Sequence, residues 1–281
     1  MSEAPAMAGV QSHSEVINVS RVDEFYNKWA DIYDHDGNVL QQIDDHRFND
    51  VMPKLMSEYS PSPSKKTLRI LDFGCGTGRN LIKLVEMQQK RSDSKEEGRG
   101  WEEVEIVGME VSPGMMSKAQ KRVAEVNDLQ SSTSSPTVSV SWLLHDIMSA
   151  LPVPLKAQNV DILYTTLVLE HLPELTPFFK FAREILVPEN GRLYISNMHP
   201  DMGKNTRAGF TDAQTGKKVI GFSANHSIES LIQIAESNGF KLRQKFEDGV
   251  EDSDHAKRLG SRGEKWIGVT MLVALVFDIA N

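Results

Sequence analysis

Short apolar runs alternate with longer amphipathic ones along most of this chain. Runs of strand length stand at 68–73, 104–110, 138–144, 160–165, 191–197, 239–246 and 266–278. Between them, 79–89, 113–127, 174–186 and 227–238 carry apolar residues at helical spacing. The first five strands alternate with helices, which predicts a parallel sheet with right-handed crossovers. The last two are separated by about 20 mostly polar residues, so a hairpin with a long loop is expected there instead. Ahead of the first strand, Val22 to Tyr33 and Leu40 to Tyr59 read as helices.

Three polar stretches interrupt this alternation. Residues 1–18 are small and polar and are expected to be disordered. The run Gln88 to Gly100 has no apolar residue, and Ser131 to Pro136 is similar, so both read as solvated loops. The remaining 19–281 is expected to form one domain.

The strongest chemical signal is the glycine cluster after the first strand, Leu71-Asp72-Phe73-Gly74-Cys75-Gly76-Thr77-Gly78-Arg79-Asn80. Glycines at alternate positions let backbone pass close to a ligand, and the helix start behind them offers free N–H groups. Dinucleotide enzymes use a similar turn, so the glycines alone are weak evidence. Asp72 tips the reading. A pyrophosphate has little use for a carboxylate there, whereas a ligand with an ammonium group does.

This segment resembles the first motif of class I S-adenosylmethionine-dependent methyltransferases, and three further segments extend the likeness. They are Glu105 to Met116 with Glu110, Val111 and Met115; His145-Asp146-Ile147; and Val160 to Leu172 with Thr165, Leu167 and His171. The resemblance covers about residues 68–200. It implies a Rossmann-like α/β fold of seven strands in the order 3-2-1-4-5-7-6, strand seven antiparallel, with helices on both faces and the ligand at the carboxyl ends of strands one to four. It also implies that S-adenosyl-L-methionine is the cofactor. Glu110 would grip the ribose hydroxyls, Asp146 the adenine amino group and Asp72 the amino-acid end. Gly74, Cys75, Gly76, Gly78, Asn80, Val111, Met115, Ile147, Thr165, Leu167 and His171 would line the same pocket. Glu110 follows Gly78 by 32 positions rather than the roughly 20 of a dinucleotide fold, and the polar run 88–100 accounts for the excess.

Two regions outside the scaffold are candidates for substrate recognition. Residues 19–60 form an N-terminal helical lid in this reading, with Tyr26, Trp29, Ala30 and Tyr33 on one helical face. Part of that face must pack on the sheet. Small-molecule methyltransferases often begin with a similar Tyr-x-x-Trp-Ala-x-x-Tyr-Asp pattern, which implies that Tyr26 and Tyr33 approach the cofactor's methionine end. The second region, 198–226, is too long for a plain strand-to-helix link and reads as an active-site cover. His199 and His226 at its two ends are the candidate catalytic residues, able to orient or deprotonate an acceptor near neutral pH. They can equally tie loop backbone. Trp29, Asp201, Arg207 and Phe210 are the candidate substrate contacts, Trp29 suiting a core position as well.

Composition narrows the function further. Of 281 residues, 40% are hydrophobic and 25% charged, an ordinary globular balance. A net charge of −8 disfavours nucleic acid as a partner. The single Cys75 excludes internal disulfides, no run is long enough for a membrane span, and the first residues lack a signal-peptide pattern, so a cytoplasmic protein is expected. No metal-ligand cluster is apparent, so metal-independent chemistry is expected. The function expected is methyl transfer to N or O of a small molecule by a monomer or homodimer. The alternatives are a protein methyltransferase, or a cofactor-binding relative with a scaffold or non-methylating role.

Overall fold

The structure is a computed structural model, and it describes residues 16–35, 37–93, 101–128, 137–149, 152–204, 206–260 and 262–280. Its main sheet contains β2 (Thr67–Phe73), β3 (Glu103–Glu110), β4 (Thr137–Leu144), β5 (Ile162–Thr166), β6 (Arg192–Met198), β9 (Phe240–Gly249) and β10 (Thr270–Ile279). Their spatial order is β4-β3-β2-β5-β6-β10-β9. The first five pair in parallel, and β10 runs antiparallel to both neighbours. This is the order 3-2-1-4-5-7-6 that the sequence led us to expect.

The crossover helices are α3 (Arg79–Asp93), α4 (Pro113–Asp128), α5 (Thr176–Ile185) and α7 (Ile228–Ser237). They cover the sheet on both faces with separate apolar clusters. Phe178, Phe179 and Ile185 of α5 pack against Leu163, Leu193 and Phe277. On the other face, Leu81 and Val85 of α3 join Phe48 and Met52 of α2 (Val39–Ser57) against Ile70, Ile106 and Tyr194. Inner strands of a sheet covered on both sides read as unbroken apolar runs. Met271 to Phe277 of β10 is such a run and is buried throughout.

A small three-stranded sheet sits outside this scaffold. It consists of β1 (Val16–Val19), β8 (Lys218–Gly221) and β7 (Gly209–Thr211), in that order. Here one expectation is corrected, because Val16 to Asn18 are ordered as a strand parallel to β8. The pairing joins positions some 200 residues apart. A four-residue strand held only by so distant a partner leaves no local signal. Residues 1–15, 94–100 and 129–136 lie outside the described residues, so the expected loops fall largely there. Gln88 to Asp93, however, continue α3.

Other boundaries shift as well. The predicted helix 22–33 is α1 (Val22–Trp29), then a turn and a 3₁₀ turn at Tyr33–His35. The 198–226 cover carries a short α6 (Pro200–Gly203), and the loop of the β9–β10 hairpin contains α8 (Ser253–Arg258) capped by Asp252. Among the described residues no helix is long and apolar enough to cross a membrane.

The small sheet and α1 share a core of Val19, Phe25, Trp29, Phe210 and Val219, with Met115 from α4. A Cβ on Gly221 would meet the Phe25 ring at 2.9 Å, so strand and helix can approach this closely only with glycine there. Asn27 pins α1 to the start of α4. Its side-chain oxygen accepts from Gly114 N–H at 2.8 Å and from the Ser112 hydroxyl at 2.7 Å. The N-terminal segment and the post-β6 cover are thus one cap over the carboxyl ends of the parallel strands.

Candidate active site

Under this cap β2 ends at Phe73, and the chain turns through Gly74, Gly76 and Gly78 at φ of 73°, 54° and 80°. Residues with a Cβ adopt that left-handed region only at a cost. Gly74 and Cys75 N–H both donate to the Met109 carbonyl at 2.9 Å, which folds the turn back onto β3. A Cβ on Gly74 would lie 2.4 Å from Val168 Cγ2, and one on Gly78 3.1 Å from Ala119 Cβ. These two glycines therefore serve packing. Gly76 differs: a Cβ there would meet nothing within 4 Å.

That open space belongs to a cleft of about 490 Å³. Gly74 and Gly76 form one wall, Glu110, Val111 and Met115 another, and Asp146 and Ile147 the outer end. Thr166, Leu167, Val168 and His171 close the side nearest β5, with Tyr26 and Tyr33 above. Glu110 is held rigidly. Its Oε1 accepts from Val111 N–H at 2.9 Å and Ser112 N–H at 2.8 Å, and its Oε2 from Gly76 N–H at 2.9 Å. Burial raises its pKa, and the same three N–H groups oppose that rise. Carboxylate oxygens have about four acceptor positions, so a diol can still be bound beside these donors.

Tyr26 and His171 form a defined pair. The His171 Nδ1 lies 2.9 Å from the Phe222 carbonyl, which can only accept, so this nitrogen carries the proton. Nε2 then accepts from the Tyr26 hydroxyl at 2.6 Å. Burial raises Tyr26 well above the ordinary tyrosine range and pushes Tyr33 up to about 12, so both remain phenols.

A second, smaller cavity of about 120 Å³ adjoins the cleft. Tyr26, Tyr33 and Leu167 line both spaces and form the partition between them. Leu167 holds a left-handed backbone at φ 57°, strained for leucine, with its N–H on the Ser196 carbonyl at 2.8 Å. The small cavity is otherwise bounded by Trp29, Glu170, Met198, Met202, Arg207, Lys265 and Trp266, among others. Glu170 and Trp29 are each about 5% exposed or less, and Glu170 Oε2 and Trp29 Nε1 have no hydrogen-bond partner.

The sequence-derived candidates divide accordingly. Tyr26, Tyr33, Gly74, Gly76, Glu110, Val111, Met115, Asp146, Ile147, Leu167 and His171 all line the large cleft. Trp29 and Arg207 line the small cavity. Asp72, Cys75, Gly78, Asn80 and Thr165 do not border either space. Asp72 is buried beneath the cleft, where desolvation raises its pKa to about 7 against the pull of the Tyr164 phenol and Arg79. Cys75 is a buried thiol whose pKa burial drives far up, as suits a small filler. Asn80 supports the floor by donating to the Thr166 hydroxyl at 2.9 Å. Strand alternation puts Thr166 rather than Thr165 on the cleft.

The two proposed catalytic histidines are occupied elsewhere. His199 caps α6, its Nδ1 accepting from Asp201 N–H at 3.1 Å, and its Nε2 lies 3.2 Å from Glu247. His226 contacts the Leu172 carbonyl at 2.9 Å. Neither borders either of these two spaces, and both tie cover to scaffold. Asp201 is exposed and pairs with Lys204 at 2.7 Å, while Phe210 stacks on Trp29 at 5.3 Å from within the cap core. Glu170 was missed, although it stands beside His171 in the same motif, an acid within an apolar run. Lys265 and Trp266 gave no signal, because only the folding back of the β9–β10 loop brings them here.

The chain matches a family model described as "Methyltransferase domain" over residues 43–245. It is 32% identical over 272 residues to an uncharacterized methyltransferase of Emericella nidulans, covering 90% of this chain and 88% of that one. Among solved structures, it resembles magnesium protoporphyrin IX methyltransferase of Synechocystis PCC 6803 with bound SAH (S-adenosylhomocysteine). The TM-score is 0.56 and the identity 16%, over 92% of this chain and 98% of that one. It also resembles the [4+2]-cyclase SpnF, with a TM-score of 0.54 and 18% identity over 95% and 98% of the two chains. At such identities these two likenesses show the fold alone.

Proposed function

Because the chain belongs to the methyltransferase-domain family and is an S-adenosylmethionine-dependent methyltransferase, we propose that it methylates N or O of a small molecule seated in the smaller cavity. The observation that carries this reading is the partition of Tyr26, Tyr33 and Leu167, which one space shares with the other beneath a single cap. An extended protein segment needs more room than the smaller cavity's about 120 Å³, and beside that cavity the cap of α1, β7 and β8 closes on its own apolar core.

The residues of the large cleft fit the cofactor. Glu110 has acceptor capacity for a ribose diol, and Asp146 stands at the far end beside Ile147 for an adenine. Gly76 leaves open the space that a Cβ would fill. Glu110 and Asp146 at the cleft, with Asp72 below, favour a ligand of positive charge. When bound, S-adenosylmethionine supplies a methyl group on a positively charged sulfur.

The protein's own part is alignment and exclusion of water. Tyr26 is fixed by His171, so its ring holds one orientation at the partition. Such rings can stabilise a neighbouring cation. Leu167 is held in its strained conformation by Ser196 and presents an apolar wall to both spaces. No proton is assigned to His199 or His226. The test is incubation with methyl-labelled cofactor and either a small-molecule or a protein extract. Label is expected in the small-molecule fraction. Label confined to protein would overturn the reading.

A further inference from the structure

The smaller cavity has a charge pattern that its size makes informative. With about 120 Å³ it holds on the order of ten water-sized groups. Arg207 and Lys265, both exposed, stand at its rim. Neither has an ion-pair partner among the described residues, and Lys265 lies 4.7 Å from the Trp266 ring. The chain carries a net charge of −8, so two uncompensated cations on one rim run against its overall balance. The interior is the reverse. Glu170 is buried there with Oε2 unpartnered, and Trp29 contributes an unpartnered N–H. A buried polar atom without a partner is costly, and ligand sites are where such a cost is offset.

We propose that this cavity recognises a small acceptor carrying both an anionic group and a protic nucleophile, such as an amino acid or hydroxy acid, and that Glu170 receives the nucleophile's proton. The inference rests on the small-molecule reading above. Arg207 and Lys265 hold the anionic group at the rim, which turns the amine or hydroxyl inward toward Glu170 and the partition. In the transfer, an acceptor ammonium first gives one proton to the Glu170 carboxylate, and the lone pair so freed forms the new bond to the methyl carbon; for a hydroxyl acceptor the O–H proton passes to Glu170 as the oxygen lone pair forms that bond. The carbon–sulfur pair stays on sulfur, which becomes a neutral thioether. Burial raises Glu170 above the ordinary glutamate range, which strengthens it as a proton acceptor. The titratable groups around it are His171, with Nε2 3.9 Å from Oε1, together with Asp44, His226, Tyr26 and Tyr33.

The probes are amino and hydroxy acids of up to about ten non-hydrogen atoms, chosen to match the cavity. Their methyl esters, and the parent acids lacking the amine or hydroxyl, serve as controls. Mass shift is read with the full chain and S-adenosylmethionine. Methylation is expected of the intact acids only. With the best probe, Glu170→Gln should lower kcat at least tenfold and remove the acidic limb of the pH profile. Arg207→Gln with Lys265→Gln should raise KM about tenfold and leave kcat within about threefold. Equal methylation of esters or parent acids would overturn the inference and leave the small-molecule reading standing. So would a Glu170→Gln variant with wild-type kcat and pH profile. Methylation of compounds in a small-molecule extract but of no probe would also overturn the inference alone. An unlabelled small-molecule extract would overturn the reading beneath it.

Discussion

Replacing Asp72 by Asn should make the cofactor-free protein more stable while weakening its hold on S-adenosylmethionine. Asp72 is 2% exposed, and burial pushes its pKa up from 3.8 to about 7. A carboxyl raised in the folded state favours folding fully only below its unfolded pKa, and that contribution is lost as pH rises through the folded pKa. Taking about 1.36 kcal/mol per pH unit, the ionised side chain costs the folded state roughly 4 kcal/mol once both states are ionised. The amide carries no such charge. Its advantage over Asp72 should be near zero around pH 4 and grow by about 2–3 kcal/mol between about pH 5 and pH 8. Urea unfolding of both proteins across that range reads the difference, because titrating groups remote from Asp72 cancel. Calorimetry with S-adenosylmethionine should show the opposite preference, with Asn binding more weakly. Wild-type affinity should rise with pH through about 7, because a bound ammonium draws the proton off Asp72. A stability difference that stays flat from pH 5 to 8 would refute the reasoning and make Asp72 an ordinary carboxylate.

Further variants test the rest of the site. Glu110→Ala should weaken cofactor binding by roughly 1–3 kcal/mol in calorimetry. It should also lower stability, since Gly76, Val111 and Ser112 lose their acceptor. Gly74→Ala and Gly76→Ala should behave differently. Both meet a positive φ, worth about 1–2 kcal/mol, but only Gly74 adds the Val168 clash, so urea unfolding should rank Gly74→Ala as less stable. Gly76→Ala should instead lose more cofactor affinity than its stability loss accounts for, because its Cβ enters the cleft. Tyr26→Phe should cost about 1–3 kcal/mol of stability by leaving buried His171 Nε2 without its donor.

What the sequence disclosed follows from how each feature is encoded. The sheet order was legible because each parallel strand and its helix write their periods locally, and Gly74 to Gly78 mark one turn in one place. That residues such as Glu110, Asp146 and His171 share one cleft was legible for the same reason. Glu110, Asp146 and His171 each end a strand or lie within a few residues of one, as a cleft at the carboxyl ends of parallel strands requires. The smaller cavity was not. It is assembled from α1, the 3₁₀ turn after β5, the cover and the β9–β10 loop, whose contacts bridge more than 200 positions. His199 and His226 stand apart from both cavities. Their positions along the chain put them at the right edge of the sheet, but Asp201 N–H, two residues from His199, and the Leu172 carbonyl, 54 positions from His226, each engage a ring nitrogen. The strand Val16–Val19 was invisible because four residues pair only with β8.

The central claim is that cofactor and acceptor occupy two spaces that meet at Tyr26, Tyr33 and Leu167. A crystal structure with S-adenosylhomocysteine tests it most directly. The adenine should lie beside Asp146 and Ile147, the ribose hydroxyls on Glu110, and the sulfur at the partition, with the smaller cavity still free. A ligand lying in the smaller cavity, or one with its sulfur at the Asp146 end, would contradict the account.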